Sequence, residues 1–430
     1  MERDCSSETV RAQLRSLLPS PVSKICPGTG VDRHTMRSSM TTAANPPAPG
    51  ALRTAELRLL VASAMGERAE RLSELASQID DWPRLYHLAA RHGLRAAVYD
   101  GLLTARTELP ASVAGAWRGF AEENTRRNLR LTAMLLHLIE EFARAGIRVL
   151  AYKGPALAAT AYTTAAAREI SDLDLLVWPT DVEPAETVAR CIGYRRLFPL
   201  TRRQREVYMR NECELDLVSP EGELLDLHWA LAPRHYGVDF NFAACWERRK
   251  QVRIAGRSVA TLGDADCVLT LAVHGSKHAW ERLNWVVDLA RFVRAHPQLD
   301  WDEIIRQAQA CGAIRALWLA LSLCEAVTAT EMPQALRTQM AADRAAMRMT
   351  AAAVERFHGG LRLAEAERWR MSFRLQSRAR WRSLAFFAFN SGVAEWKRAR
   401  LPEPLFPLYV PLRWWRIASA ATRRGPASND

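Results

Sequence analysis

Two aspartates separated by one residue, Asp172 and Asp174, are the residues whose types and spacing most clearly indicate chemistry in this chain. They lie in the run SDLDLLV, which ends at Val177. Side chains alternate between the faces of a β-strand, so we expect both carboxylates on one face and Leu173 and Leu175 on the other. Adjacent carboxylates repel each other, and burying them is costly unless a cation joins them. A divalent ion such as Mg²⁺, which prefers oxygen ligands, is the simplest candidate.

A predicted strand and a tight turn precede this pair. The apolar run Val149 to Tyr152 ends in Lys153-Gly154, and Pro155 follows where a helix would begin. Proline suits the first helical position because the N–H group there has no partner within the helix. We expect the turn at Gly154 and the helix N-terminus to offer N–H groups and a favourable dipole to phosphates. Lys153 is a candidate point charge on a triphosphate, and a solvated lysine is the alternative.

Two further strand patterns supply a third carboxylate. The runs Glu214 to Val218 and Glu223 to Trp229 are separated by Ser-Pro-Glu-Gly, which predicts a β-hairpin. Asp226 and His228 alternate with leucines, so they should share one face. Asp226 is therefore the candidate third carboxylate, although spacing does not exclude Asp216 on the partner strand. His228 would either contact a substrate or be a hydrogen-bonded structural histidine.

The order of these motifs resembles that of a known family. KGPALA, then R-x-x-S-D-L-D-L-L-V, then LDLHW is similar to the bacterial uncharacterised nucleotidyltransferases, a branch of the polymerase-beta-like nucleotidyltransferase superfamily. The resemblance extends from about Leu57 onward and includes HGSKHAWERLNWVVDLA, residues His274 to Ala290. Many superfamily members carry Gly-Ser in the turn where this chain has Lys153-Gly154. The branch it resembles shares the Lys-Gly pair, so the fold is expected to survive this change, but the grip on phosphate need not be identical.

The resemblance implies an α+β fold, with a small mixed β-sheet nucleotidyltransferase core flanked by N-terminal and C-terminal helical regions. It implies a Mg²⁺-dependent enzyme that moves a nucleoside monophosphate from a nucleoside triphosphate to a hydroxyl of an unidentified small-molecule, peptide or protein acceptor. Asp172, Asp174 and Asp226 would hold two Mg²⁺ ions about 3.5–4 Å apart, with Mn²⁺ as the alternative ion. Asp226, on the acceptor side, could accept the proton of the acceptor hydroxyl.

Three more residues are candidates for nucleotide binding. Two roles are open for Arg168, four residues before the paired aspartates: it pairs with a carboxylate and anchors the loop, or it reaches the triphosphate. His274 and His278 are spaced as in the zinc-protease motif H-E-x-x-H, but Gly275 replaces the glutamate, which excludes a protease. The resemblance instead makes this helix part of the site or its wall. Lys277 and His278 would face phosphates or acceptor, and helix packing with a polar edge is the alternative.

Composition limits the class of protein. Of 430 residues, 49% are hydrophobic and 25% charged, which is typical of soluble globular proteins. No apolar run approaches the roughly 18 residues that would suggest a membrane span, and the first residues do not resemble a secretory signal, so we expect a cytoplasmic protein. The eight cysteines form no C-x-x-C pair, which argues against a zinc site. The net charge of +12 indicates an anionic partner, namely a nucleotide, a membrane surface or, less favoured, nucleic acid.

Patterns of composition and periodicity divide the chain into four parts. Residues 1–50 are predicted to be disordered, 51–145 to form an N-terminal helical region, 146–262 the catalytic core and 263–430 a C-terminal helical region with an Arg/Trp-rich tail. Within them we expect one long helix from Ser112 to Ala145 and another that begins near a Thr180 cap. The Pro-broken end, LPEPLFPLYVPLRWWRI, is expected to pack across the domain without forming a long element.

The stretch from Arg368 to Arg400 interleaves basic residues with Trp369, Trp381 and Trp396. Such a segment could stack on single-stranded nucleic acid or lie on an anionic membrane. The favoured interpretation is a solvated basic face with tryptophans turned into the core.

The sequence leaves two alternatives to an enzyme open. One is a non-catalytic binding partner of this fold in a biosynthetic or toxin–antitoxin complex, and the other is a nucleic-acid or membrane-surface binder that uses the basic C-terminal region.

Overall fold

The computed structural model describes residues 52–359 and 380–422. The segment 1–50, predicted to be disordered, and Trp369 lie outside these residues. No helix in the described ranges is both long enough and apolar enough to cross a lipid bilayer.

Within the described residues, five helices precede the sheet, and the three- and four-residue spacing of apolar side chains predicts a helical region there. Their bounds are α1 Ala55–Met65, α2 Ala69–Ala76, α3 Trp82–His92, α4 Arg95–Thr104 and α5 Ala111–Arg144. The Thr54 hydroxyl caps α1 by accepting a hydrogen bond from the N–H of Leu57. The long predicted helix is confirmed as α5, which buries Leu135 and Phe142 in the core beside the sheet.

A mixed seven-stranded sheet follows, in the order β3-β4-β5-β2-β1-β7-β6. Its strands are β1 Val149–Tyr152, β2 Asp172–Val177, β3 Arg195–Arg196, β4 Glu214–Val218, β5 Leu224–His228, β6 Lys250–Ile254 and β7 Arg257–Thr261. β2 pairs in parallel with β5 and β1 with β7, and the other neighbours are antiparallel. The predicted hairpin is confirmed as β4–β5. The connections carry α6 Gly154–Ala161, α7 Val182–Cys191, α8 Arg202–Asn211 and α9 Phe242–Glu247.

The C-terminal part is helical. The elements that lie in its described residues are α10 Asp264–Lys277, α11 Leu283–Ala295, α12 Trp301–Cys311, α13 Ile314–Thr328, α14 Gln334–Ala342, α15 Arg344–Gly359, α16 Arg380–Phe389, α17 Val393–Arg398, the 3₁₀ helix Glu403–Leu408 and α18 Tyr409–Thr422. Together with the helices before the sheet, this arrangement confirms the predicted α+β class.

Two expectations about local structure are wrong. Thr180 does not cap a helix, because it lies within the 3₁₀ turn Pro179–Asp181 that leads into α7. The chain end does form a regular helix, α18. Pro411 is the third residue of α18, within the first turn, where the missing N–H would have no intrahelical partner, so this proline does not break the helix.

The apolar core explains how the helices before and after the sheet come together. One large cluster joins α1–α4 to α10–α15 and includes Leu60, Val98, Val287 and Leu319. A second cluster covers one face of the sheet and includes the leucines of β2 and β5 that lie on that face. On the opposite face Leu176 belongs to a third, smaller cluster, and the aspartates of β2 and β5 border a cavity that α10 and α11 close.

Candidate active site

The pairing of β2 with β5 places the predicted carboxylates side by side. The strands are parallel, and Asp174 lies opposite Asp226 in the register. Leu173 and Leu225, one position away, are fully buried in the core on the other face. The prediction that the aspartates share one face of their strands is confirmed, because the alternation holds through both strands.

A cavity of about 310 Å³ opens over this face. Gly154 and the candidate His228 do not line it. Its walls do include seven residues that the sequence indicated: Lys153, Arg168, Asp172, Asp174, Asp226, Lys277 and His278. Asp216 pairs with Asp226 on the side away from β2 and does not line the cavity. Of the two candidates for a third carboxylate, the geometry favours Asp226.

The three carboxylates perturb one another. Burial, followed by the charges of Asp172 and Asp174, raises the pKa of Asp226 well above its ordinary value. Burial and the neighbouring Asp174 also raise the pKa of Asp172. Burial alone would raise the pKa of Asp174, but Lys153 and His228 outweigh it and hold that pKa below its usual value. The cluster is therefore short of positive charge, and the shortage is greatest at Asp226.

Lys153 supplies part of that charge from a strained backbone. Its ammonium group forms a buried ion pair with Asp174. Lys153 has φ +51° and ψ −150°, a conformation that only glycine adopts readily. Gly154 follows with φ +41°, and a Cβ there would lie 3.4 Å from the Asp172 carbonyl oxygen. The turn thus brings the lysine head over the carboxylates at a local conformational cost.

Arg168 anchors the loop that precedes β2. Its Nε and Nη2 donate to the two carboxylate oxygens of Asp288 at 3.0 and 2.9 Å, and its Nη1 donates to the Gly154 carbonyl at 3.4 Å. The Tyr162 hydroxyl donates to the same carboxylate at 2.6 Å. Of the two roles left open for Arg168, the contacts support pairing with a carboxylate. Asp288, on α11, was not among the sequence candidates.

A second ion pair joins the sheet to α10. Lys277 donates to both carboxylate oxygens of Glu214 at 3.0 and 2.9 Å. His228 lies between the acidic groups, with Nε2 3.1 Å from Asp174 Oδ1 and Nδ1 3.3 Å from Glu214 Oε2. Burial would raise the pKa of Glu214, but Lys277 and His228 lower it, so this carboxylate is charged. Sequence reasoning missed Glu214, which the observed hairpin register places opposite His228.

Aromatic rings form the wall opposite the carboxylates. The ring of Trp285 lies 5.5 Å from that of His274 and 5.3 Å from that of His278, and all three residues line the cavity. Burial and the charge of Lys153 lower the pKa of His274 well below its ordinary value, so this ring is neutral at physiological pH. The wall offers flat aromatic surface to a ligand that the opposite side would hold by charge.

Two groups of side chains in the described ranges have the spacing of metal ligands. One comprises Asp174, Asp226 and His228, with one ligand atom of each within 4.8 Å of the others. The other comprises Cys213, Glu214 and His228. Burial raises the pKa of the Cys213 thiol well above its ordinary value, and a protonated thiol is a poor ligand. The first group, next to Asp172, is the better candidate.

Comparisons with solved structures found nucleotidyltransferases. The crystal structure of ANT(2″)-Ia in complex with adenylyl-2″-tobramycin is 15% identical, with 42% of this chain and 95% of that chain covered and a TM-score of 0.30. A solution structure of the antibiotic-resistance factor ANT(2″)-Ia is 16% identical in sequence, with 46% of this chain and 96% of that chain covered and a TM-score of 0.30. An antigenic nucleotidyltransferase-like protein from Paracoccidioides brasiliensis is 12% identical, with 48% and 95% covered and a TM-score of 0.28.

A comparison with curated proteins found no match. The family model described as uncharacterised nucleotidyltransferase matches residues 79–329, which is more than half of the chain. The matched span contains the turn at Lys153, all three carboxylates and the helices that close the cavity. This chain belongs to the uncharacterised nucleotidyltransferase family.

Proposed function

We propose that this protein is a Mg²⁺-dependent nucleotidyltransferase that moves a nucleoside monophosphate from a nucleoside triphosphate onto a hydroxyl of a small molecule, a peptide or a protein. The observation that carries this proposal is that Asp172, Asp174 and Asp226 line one cavity, whose walls also hold lysine and arginine side chains. The region 146–262 supplies the carboxylates, and helices of the region 263–430 close the cavity over them.

The residues present fit a divalent cation. Three carboxylates face the same space, and the pKa of Asp226 is raised by burial and by its acidic neighbours, which is the situation that a bound cation relieves. Asp172, Asp174 and Asp226 would hold the ions, and His228 is a further ligand within reach. When bound there, Mg²⁺ or Mn²⁺ would supply charge neutralisation and Lewis-acid stabilisation to phosphoryl transfer.

The side chains of this protein would then divide the remaining tasks. Asp226, ionised once a cation neutralises the cluster, would accept the proton of the acceptor hydroxyl as that oxygen attacks the α-phosphate and pyrophosphate leaves. Lys153 and the N–H groups that follow Gly154 would place positive charge beside the triphosphate. We assign Arg168 to positioning, because its guanidinium group binds Asp288 and the Gly154 carbonyl and so fixes the turn.

Lys277 and His278 would form the side of the cavity nearest α10. Lys277 is held by Glu214, so it presents a fixed charge rather than a mobile one. His278 lies next to the Trp285 ring, and this aromatic wall is where we place the nucleobase or the flat part of an acceptor. Neither residue is assigned to the chemical step.

Isothermal titration of the purified protein tests the core of the proposal. ATP, CTP, GTP and UTP are each titrated with Mg²⁺ into wild type, into Asp172→Ala/Asp174→Ala and into the exposed-site control Asp302→Ala. We expect at least one triphosphate to bind wild type and the control equally and to lose at least about tenfold in affinity for the double variant. Equal binding to all three proteins would contradict the proposed site.

Pyrophosphate release separates an enzyme from a binding protein of the same fold. The protein is incubated with the triphosphate that binds, Mg²⁺ and a cell extract as the source of acceptor. We expect release that depends on extract and is absent for Asp226→Asn. Tight nucleotide binding without any release would instead support the non-catalytic partner.

A further inference from the structure

The end of the chain exposes far more apolar surface than the rest. Seven of the ten exposed large hydrophobic side chains in the described ranges lie between residues 380 and 422. They are Trp381, Leu384, Phe389, Leu405, Leu408, Trp414 and Trp415. We call these seven residues the tail patch. Isolated exposed apolar residues are ordinary, but a concentration of this kind in one short region marks an interaction surface.

Two helices that carry the tail patch expose large apolar side chains and bury polar ones. On α16 the exposed residues Trp381, Leu384 and Phe389 recur at intervals of three and five, so they follow one side of the helix, whereas Ser383 is buried. On α18 Trp414 and Trp415 are about half exposed, whereas Arg413 beside them is only 7% exposed. A surface helix normally buries its apolar side chains and exposes its charges. Both helices therefore present to the outside the side chains that a partner of low polarity would cover.

The region is folded against itself, so the exposure is not that of a loose chain. The Trp414 indole N–H donates to the Ala388 carbonyl at 2.8 Å, which ties α18 to α16. Arg416 binds the buried Glu395 of α17 at 2.7 Å. The buried Tyr409 hydroxyl donates to the Ala399 carbonyl at 2.8 Å. These contacts fix the helices that present the apolar side chains.

Cations accompany the apolar side chains. Residues 380–422 contain seven Lys and Arg but only two Glu, so the region is strongly basic. The guanidinium group of Arg380 lies 5.5 Å from the Trp381 ring centroid, and that of Arg398 lies 5.1 Å from the Trp415 ring centroid. Of the predicted Arg/Trp stretch, Trp396 is turned into the core as favoured, whereas Trp381 is 69% exposed. The favoured interpretation of the stretch is thus correct for one tryptophan and wrong for the other.

We infer that the tail patch lies on the surface of a membrane that contains anionic lipid. Tryptophans beside arginines are suited to the boundary between head groups and acyl chains, and leucine and phenylalanine enter the acyl layer. Single-stranded nucleic acid would use the arginines and aromatic rings but has no use for Leu384, Leu405 and Leu408, which cannot stack on bases. The basic charge selects an anionic surface over a neutral one.

Vesicle co-sedimentation with the full chain tests this inference. One set of vesicles is phosphatidylcholine and the other is an equal mixture of phosphatidylcholine and phosphatidylglycerol. We expect binding to the mixed vesicles that weakens with added salt, and weak binding to the neutral ones. Trp414→Ser/Trp415→Ser should lower the partition coefficient about tenfold. The control Leu129→Ser, which alters a side chain on α5 that is more exposed than either tryptophan, should bind as wild type does.

A second variant guards against a folding defect, because Trp414 also makes a hydrogen bond to α16. Leu405→Ser/Leu408→Ser changes two side chains of the 3₁₀ helix and should lower the partition coefficient in the same direction, with an unchanged circular dichroism spectrum. Binding to neither vesicle, or binding that both double variants leave unchanged, overturns the inference. Two other results overturn it when vesicle binding stays absent. One is a dimer in light scattering that both double variants abolish, and the other is retention of a single-stranded oligonucleotide that both abolish.

Discussion

Replacement of Asp226 by asparagine should stabilise the metal-free protein while it abolishes transfer. Asparagine has nearly the shape of aspartate but no charge, so the substitution removes one of three like charges that face the same cavity. In the absence of a divalent ion, those charges oppose folding because burial brings them together. We expect the variant to unfold at higher urea concentration than wild type in EDTA at neutral pH.

The size of the effect follows from distance and from the counter-ions. Carboxylate oxygens of Asp174 and Asp226 lie within 4.8 Å of each other. Two full charges at that separation repel by ~3.5 kcal/mol for an effective dielectric constant of ~20. The Lys153 ammonium group forms an ion pair with Asp174, which reduces the net repulsion. We expect a gain of ~1–2 kcal/mol in the free energy of unfolding.

The pH dependence of the free energy of unfolding gives an independent sign for the effect of Asp226→Asn. The pKa of Asp226 is raised in the folded protein, so folding favours its protonated form. The stability contributed by that proton is fully present below the pKa of the unfolded chain and is lost as pH rises through the raised folded pKa. Wild type and Asp226→Asn should therefore be equally stable at acid pH. Their unfolding free energies should diverge as pH rises from the pKa of Asp226 in the unfolded chain towards its raised pKa in the folded protein.

Urea denaturation, followed by circular dichroism across pH with EDTA or Mg²⁺, measures both effects. Mg²⁺ at about 100 times its dissociation constant should stabilise wild type by ~2.7 kcal/mol and the variant by much less. The order of stability would then reverse between the two conditions. A variant that is less stable than wild type in EDTA at every pH would refute the reasoning, because it would show that Asp226 stabilises the fold without a cation.

Three further predictions concern the groups around the carboxylates. Lys153→Met should raise the KM for the triphosphate by about tenfold or more in steady-state kinetics, and an unchanged KM would exclude Lys153 from nucleotide binding. Asp288→Ala leaves the buried Arg168 guanidinium without its carboxylate and should cost ~3–5 kcal/mol in urea, whereas Arg168→Met/Asp288→Leu should recover most of that loss. EDTA should abolish pyrophosphate release and Mg²⁺ should restore it, with Asp172→Asn requiring about tenfold more Mg²⁺; release that persists in EDTA would contradict metal dependence.

The period of two in a strand was enough to predict the face on which each aspartate lies. It could not predict that β2 and β5 are neighbours, since that depends on how the whole sheet is ordered. The hairpin β4–β5 was predictable from its turn residues. The hairpin by itself does not show whether Asp216 or Asp226 is the third carboxylate of the site. The parallel pairing of β2 with β5 breaks that equivalence, because it sets Asp226 beside Asp174 and leaves Asp216 one strand further away.

Long-range ion pairs could not be predicted from the sequence either, because they too depend on how distant elements pack. Arg168 and Asp288 are 120 residues apart, and nothing in local spacing connects them. They meet because the helices before and after the sheet share one core, which holds α11 against the loop that precedes β2. The sequence left two roles open for Arg168, and the packing of distant helices decided between them.

The conformation of Lys153 links the fold to the proposed chemistry. A lysine at φ +51° costs on the order of 1–3 kcal/mol, and a glycine at the same position would avoid that cost. Lys153 also stands in the turn where many members of the superfamily have Gly-Ser. A strained residue persists when the interactions of its side chain contribute more favourable energy than the backbone strain costs. The side chain of Lys153 contacts the most buried carboxylate of the cluster. The strain is therefore best explained as the cost of holding a fixed cation where carboxylates and phosphates would meet.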